Sequence, residues 1–356
     1  MNEERVEELR NLFQEKGLNS FLVNKPTSLL YLFGYTGTNG LGIVTKNSKY
    51  FITDFRYKDQ SASEVKADEI LLADGPLTDT LTRIDELKTS ARTGFEATYV
   101  NYDQFMTYSK LLGDSELIPC IDYIERISAC KSKKEIEYIE KASEITLKVF
   151  HEIIPLMEEG VTEKDIAAEI TYRTLIDGGD GDAFSPIVLF GLNTSLPHGT
   201  PGDRKLETGD LIQLDFGAKY NGYCTDFSRV LVKGKLRREQ REIYLAVKES
   251  IDRTIEMLKP GIPVKDVDHY AREVIKKRGF DRYFGHSVGH GVGLEIHSLP
   301  KLSRISEEVL AVGNVFTIEP GIYLTGSCGI RIEDLISLDE NGINILTNTS
   351  REIIFL

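Results

Sequence analysis

The sequence predicts an α+β chain in two parts: an N-terminal α/β domain over residues 1–125, then a C-terminal domain over 126–356 made of two similar helix–helix–strand–strand halves. Three observations lead there. A length of 356 residues suits two domains. The texture changes at Ser132, where an amphipathic helical pattern opens. A seven-residue motif also recurs, first as Gly160-Val161-Thr162-Glu163-Lys164-Asp165-Ile166 and again as Gly261-Ile262-Pro263-Val264-Lys265-Asp266-Val267.

In the first part, Val6, Leu9, Leu12 and Phe13 recur at helical spacing. Phe21-Leu22-Val23 reads as a short buried strand, and residues 42–45 and 50–53 flank a Lys46-Asn47-Ser48-Lys49 turn as a hairpin. Residues 102–112 read as a helix, and no catalytic cluster stands out. The domain boundary falls within 123–132. Beyond it, Ile136, Ile139 and Ala142 among Lys133, Lys134, Glu135, Glu137 and Glu140 open a helix expected to reach Met157. In each copy of the motif glycine ends a helix, and Thr162 or Pro263 suits the start of the next.

Composition restricts the partners. With 43 Lys+Arg against 56 Asp+Glu, the net charge of -13 argues against nucleic acid or an anionic membrane. The charged opening residues are no signal segment, and no apolar run approaches the ~18 residues of a membrane span. The four cysteines, at 120, 130, 224 and 328, form no CxxC pair and are too sparse for a disulfide framework. A reduced, cytoplasmic protein is the expectation.

Each half of the C-terminal part ends in a strand-rich stretch with two acids, Asp215 and Asp226 in the first, Glu319 and Glu333 in the second. Asn221-Gly222 is a strong two-residue hairpin signal. It sets Asp226 opposite Gly217, with Asp215 diagonal to Asp226 on the same face at ~7–8 Å between Cα atoms. A three-residue turn at Thr325-Gly326-Ser327 sets Glu319 opposite Glu333, whereas a two-residue turn would put them on opposite faces. A lone strand acid ordinarily belongs on a solvated face. The Ile-Gln-Leu-Asp-Phe setting of Asp215 and the Phe-Thr-Ile-Glu-Pro setting of Glu319 predict burial instead. A buried carboxylate must be paired, protonated or metal-bound. Arg331 could pair one of the four. Two divalent cations would balance all of them, and oxygen ligands with one imidazole suit Mn, Co or Zn.

The imidazole is expected from residues 284–297, which hold His286, His290 and His297. His286 and His290 stand four apart, as in the helical zinc-protease motif. However, Ser287 replaces the required glutamate, and Gly289, Gly291 and Gly293 oppose a helix. A dinucleotide loop lacks its βαβ surroundings. A glycine-rich turn holding histidines at an acidic site fits better, with His198 in Leu196-Pro197-His198-Gly199 a fourth candidate. His151 and His269 read as structural or surface residues.

On these residues the chain resembles a known family. Asp215 in Leu-Asp-Phe-Gly, Asp226 in Thr-Asp-Phe-Ser-Arg, His290 in Gly-His-Gly-Val-Gly-Leu, Glu319 in Thr-Ile-Glu-Pro-Gly-Ile-Tyr and Glu333 in Arg-Ile-Glu-Asp are similar to the five ligands of the pita-bread metallopeptidases. The match covers most of residues 130–356 in order. The part before it resembles the creatinase-type domain of prolidases (Xaa-Pro dipeptidases) and aminopeptidases P. Methionine aminopeptidases generally lack that domain, and creatinase lacks the metal set. A non-catalytic binding module of the same fold is opposed by five intact ligands.

The resemblance implies a pseudo-twofold catalytic domain with two divalent ions, Mn first, Co or Zn as alternatives. Asp215 would bind one ion, Asp226 and Glu333 would bridge both, and His290 and Glu319 would complete the other. The ions would activate a shared water, with Glu319 as proton shuttle and His198, His286 and His297 facing the substrate. It further implies small peptide substrates cut before proline, dipeptides ahead of longer peptides, and a homodimer. Arg331 is either a substrate contact or an internal counter-ion. Some relatives carry His-Glu-x-Pro-Arg where this chain has His297-Ser298-Leu299-Pro300-Lys301. Lys301 is therefore the candidate for the substrate carboxylate, keeping the charge without the bidentate fork.

Overall fold

The computed structural model describes residues 2–356. They divide into two compact units, one ending at Ser128 and one spanning Ala129–Leu356. The first is built on a six-stranded sheet of β1 (Ser20–Val23), β2 (Leu41–Thr45), β3 (Lys49–Asp54), β4 (Glu69–Ala73), β5 (Arg92–Glu96) and β6 (Glu116–Cys120), in the order β4-β3-β2-β1-β5-β6. The pairs β1–β2 and β2–β3 are antiparallel and the others parallel, so this is a mixed α/β sheet. The expected hairpin is present, with Lys49 drawn into β3 opposite Val44. Thr45 tightens the turn, its hydroxyl accepting the Ser48 N–H at 2.9 Å. Helix Asn2–Lys16 buries Val6, Leu9 and Phe13. Helix Tyr102–Leu111 starts at Asn101, whose side chain accepts the Gln104 N–H while Gln104 accepts that of Asn101.

The second unit repeats itself. Helices Lys133–Ile153 and Glu163–Ile176 belong to one half, Arg238–Met257 and Val264–Lys277 to the other. The first stops short of Met157. Pro155 lacks the N–H that an α-helix needs, and only a 3-10 turn, Ile154–Leu156, follows. Gly160 and Gly261 both take left-handed φ values, 89° and 87°. Their N–H groups donate to Leu206 and Leu310 carbonyls at 2.9 and 2.8 Å. Those leucines donate back to Val161 and Ile262 at 2.9 Å, so the two motifs share one hydrogen-bond pattern. Asp215 and Glu319 lie the same number of residues beyond Leu206 and Leu310.

Each helix pair packs on its own sheet. Ile145, Val149, Ile166 and Ile170 meet Val188, Ile212, Leu214 and Phe216 in the first half. Val247, Ile251, Val267 and Ile275 meet Phe316, Ile318, Ile330 and Ile336 in the second. Strand side chains alternate faces, so Leu214 and Phe216 on the helices place Asp215 on the other face. Phe316 and Ile318 do the same for Glu319. The two sheets meet through an antiparallel bridge, Ser228 to Glu333, with the Glu333 N–H donating to the Ser228 carbonyl at 3.2 Å.

Candidate metal centre

The first hairpin closes as its turn residues require, Asn221 and Gly222 taking φ of 48° and 79°. One register runs through it, from Tyr220 opposite Tyr223 to Asp215 opposite Ser228, which carries Asp226 opposite Gly217. A Cβ at Gly217 would lie 1.8 Å from the Thr225 carbonyl oxygen, so only glycine allows this approach. The second hairpin has the three-residue turn. Leu324 pairs with Cys328, Gly321 with Arg331 and Ile318 with Asp334, a register that carries Glu319 opposite Glu333. Gly326, at φ 74°, makes the turn possible.

His290 arrives differently from the expected glycine-rich turn. Gly289–Gly291 is a strand, held between Ser298–Leu302 and Val315–Ile318. A Cβ at Gly289 would lie 2.0 Å from the Thr317 carbonyl oxygen, and one at Gly291 2.0 Å from that of Leu299. The glycines therefore serve strand packing rather than a turn. The ladder shifts register between His290 and Gly291, a bulge at the point where the imidazole leaves the strand. Gly289→Ala is expected to cost about 1–3 kcal/mol of stability by overpacking and to weaken metal binding, read by urea unfolding and metal titration. A variant with parental stability and metal affinity would refute this.

The acids and imidazole converge. His290 Nε2 lies 3.5 Å from Asp226 Oδ2 and 3.5 Å from Glu319 Oε1. One ligand atom each from Asp226, His290 and Glu333 lies within 4.8 Å of the others. His290 Nδ1 stands 3.1 Å from the Gly291 carbonyl oxygen. As the protonated donor there, it leaves the Nε2 lone pair toward the acids. Asp215 Oδ1, Asp226 Oδ1 and Glu333 Oε1 are buried without a hydrogen-bond partner. Orphaned buried oxygens of this kind are costly, and a divalent cation satisfies them. Three orphaned oxygens and an aimed imidazole lone pair fit such ions.

Electrostatics agree with this reading. Burial, then the Asp215 and Glu319 charges, hold the Asp226 carboxyl well above its usual range. Burial and the Asp226 charge do the same to Glu333. Burial pushes Glu319 up to about 8 against the pull of Arg331. Burial, assisted by His297, lowers His290 to about 4, so its ring is neutral at pH 7 as a ligand must be.

The remaining candidates line the same cavity of about 440 Å³: His198, His286, His297, Lys301 and Arg331 join the five proposed ligands there. His297 stands with its ring centroid 4.4 Å from that of His290. His286 lies between Phe284 and Tyr323, its Nδ1 2.8 Å from the Ser287 carbonyl and its Nε2 buried without a partner. Burial holds it at about 4. Arg331, 3% exposed, donates to Asp215, to Ser228 Oγ at 3.2 Å, to the Pro197 carbonyl at 3.2 Å and to the Tyr323 hydroxyl at 2.6 Å. Lys301 is exposed.

With that geometry in hand, comparison with known proteins is decisive. Metallopeptidase family M24 matches residues 137–340, and the creatinase/prolidase N-terminal domain matches residues 5–129. The chain belongs to metallopeptidase family M24. It is 36% identical over 360 residues to an Xaa-Pro dipeptidase of Pyrococcus furiosus, covering 99% of both chains. Among solved structures it resembles an Xaa-Pro dipeptidase from Bacillus anthracis (TM-score 0.97, 34% identity, 100% of both chains). It also resembles an X-Pro aminopeptidase from Thermotoga maritima (TM-score 0.89, 36% identity, 96% of this chain and 98% of that one).

This M24 metallopeptidase is thus an enzyme with a creatinase-type N-terminal domain and a pita-bread catalytic domain, and its family implies use of divalent metal. Some residues at its site escaped the sequence analysis. Ser228 Oγ donates to Glu333 Oε2 at 3.0 Å. Gln213 accepts the Arg331 N–H at 2.9 Å and donates to the Arg331 carbonyl at 3.2 Å. Burial pushes Tyr323 up to about 12, so it stays a neutral phenol against Arg331. Alternation gave a signal for two of them, since Gln213 shares the face of Asp215 and Ser228 is its register partner. Tyr323 had none. Among the described residues no helix is long and apolar enough to cross a membrane, and all four cysteines are free.

Proposed function

We propose that this metallopeptidase hydrolyses the peptide bond preceding proline, chiefly in Xaa-Pro dipeptides, with two divalent cations, manganese first, held by Asp215, Asp226, His290, Glu319 and Glu333. The carrying observation is the convergence of four acids and a neutral imidazole in one cavity, three of the acids each keeping an orphaned buried oxygen. Support for the substrate comes from the full-length likeness to proteins named as Xaa-Pro dipeptidases.

Divalent ions bound there supply Lewis acidity and make a water molecule a nucleophile near neutral pH. The chain's own groups do the rest. A Glu319 carboxylate oxygen takes the proton released when that water attacks and returns it to the prolyl nitrogen as it leaves. His198 and His297, exposed at the cavity, donate N–H to the scissile carbonyl and the oxyanion; one such donor is worth about 2.7–4 kcal/mol. His286 is neutral with its Nδ1–H on the Ser287 carbonyl, so its unpartnered Nε2 offers a lone pair to a substrate N–H. Phe184, Ile187 and Ile296 give the pyrrolidine ring apolar walls, and the prolyl amide has no N–H to satisfy. The contacts of Arg331 with Asp215, Ser228, Pro197 and Tyr323 favour the counter-ion role over substrate binding. Lys301 then supplies the cation for the substrate's C-terminal carboxylate.

The test is a comparison of Ala-Pro with Ala-Pro-Ala on protein loaded with manganese. Ala-Pro is expected to give the higher kcat/KM, with activity lost on chelation and restored by manganese. A higher value for the tripeptide would instead favour an aminopeptidase P, the reading that the Thermotoga likeness supports. A catalytic domain over 126–356, a homodimer and a cytoplasmic setting complete the proposal. Sedimentation of the purified chain tests the dimer.

A further inference from the structure

We propose that a buried acid on the second helix of each half, Glu163 in one and Asp268 with Arg272 in the other, clamps the segment carrying a cavity imidazole, His198 and His286 respectively, and is a positioning residue for it. This rests on the catalytic reading of those histidines given above. Glu163 is 0% exposed at the start of helix Glu163–Ile176. Its Oε1 accepts the Phe190 N–H at 2.8 Å and Asn193 Nδ2 at 2.9 Å, and its Oε2 accepts the Gly202 N–H at 2.8 Å. These donors bracket residues 190–202, the stretch that brings His198 to the cavity.

Asp268 is likewise 0% exposed, on helix Val264–Lys277. Its Oδ1 accepts the Val288 N–H at 3.0 Å. Arg272 Nε donates to its Oδ2 at 2.6 Å and Arg272 Nη2 to its Oδ1 at 3.0 Å. The same guanidinium donates to the Phe284 carbonyl at 2.8 Å and to the His286 carbonyl, and it lies 4.2 Å from the centre of the Phe284 ring. The Phe284 ring in turn stands 5.1 Å from that of His286. Residues 284–288 are therefore held on both sides of the histidine.

A carboxylate is taken out of water only at a cost that its donors must offset. Here those donors come from the histidine-bearing segments or from Arg272. The helices correspond through the internal repeat, but the clamps do not. The counterpart of Glu163 is Val264 and that of Asp268 is Ala167, neither of them charged. Repetition of the fold alone thus does not account for either acid, since two different positions meet one need. Among the ten candidate residues, the Glu163 clamp touches only the segment of His198. The Asp268 clamp holds Val288, whose carbonyl also accepts the Glu319 N–H at 2.8 Å, so bound metal is measured beside activity to separate the two roles.

The test is a pair of double-mutant cycles on metal-loaded enzyme with Ala-Pro. Glu163→Gln is expected to lower kcat/KM about tenfold in the parent and less than about twofold in a His198→Ala background, with bound metal unchanged. Arg272→Met is expected to behave in the same way toward His286→Ala. If Glu163→Gln does not fold, Asn193→Ala removes the one side-chain donor of the three and should show the same dependence on His198. Equal losses in both backgrounds, or losses tracking metal content, overturn the proposal. Hydrogen exchange provides a readout that needs no substrate. Glu163→Gln should speed exchange in 190–202 and leave 284–288 unchanged, with the reverse for Arg272→Met. An inactive parent counts against the proposed function, and exchange then decides the clamp: segment-specific loosening supports it, and its absence overturns it.

Discussion

Replacing Asp226 by asparagine abolishes hydrolysis while making the metal-free protein more resistant to heat. Asp226 clusters with His290 and Glu333, one ligand atom of each within 4.8 Å of the others, so an amide in its place removes a charged ligand from the proposed site. Lewis-acid activation contributes several kcal/mol, and kcat/KM is expected to fall by at least about 10³-fold, with bound metal reduced. The stability change has the opposite sign for an electrostatic reason. Without cations, the buried Asp226 must either hold a proton far above its usual range or stand ionised beside Asp215 and Glu319. A neutral amide of the same shape does neither. Melting curves with and without chelator, together with metal analysis, read both effects. A chelated variant that melts below the chelated parent would show that the cluster is not a repulsive one.

Raising the pH from 5 to 8 destabilises the chelated enzyme, whereas the same change strengthens metal binding. Glu319 has a folded-state value of about 8 against an ordinary 4.5, and Asp226 and Glu333 are displaced in the same direction. Between those two values the folded chain binds more protons than the unfolded chain, so stability falls as pH rises. Each such proton contributes a slope of about 1.4 kcal/mol per pH unit. Below the ordinary value both states are protonated and the penalty vanishes. Cations compete with protons for the same oxygens, so affinity rises over the same window and loaded enzyme escapes the loss. Urea unfolding at several pH values with and without manganese tests both arms. A chelated protein whose stability rises between pH 5 and 8 would contradict the assignment.

Local rules already carried much of the site. Asn221-Gly222 admits essentially one hairpin geometry, and from it the placement of Asp226 relative to Asp215 follows by counting. In the second half the count depended on loop length, and Gly326 within a three-residue loop put Glu319 opposite Glu333. The glycines around His290 were read correctly as incompatible with a helix and wrongly as a turn. What they permit is the close approach of the Thr317 and Leu299 carbonyls, whose residues lie far along the chain or across a bend. Pro155 marked a helix end that periodicity alone carried on to Met157.

The amino-acid sequence by itself determined the repeat, the paired acids with their faces, and the ligand pattern of the M24 family, because turn chemistry and period-two alternation act over a few residues. Only the tertiary structure decided how the two halves join at Ser228 and Glu333, that Arg331 spends its donors on Asp215, Ser228, Pro197 and Tyr323, and which buried acids grip the segments of His198 and His286. Apart from Arg331 with Tyr323, eight positions apart, those contacts link residues 20 to 134 positions apart. Their partners are chosen by packing of the two sheets and their helices, which no local pattern encodes.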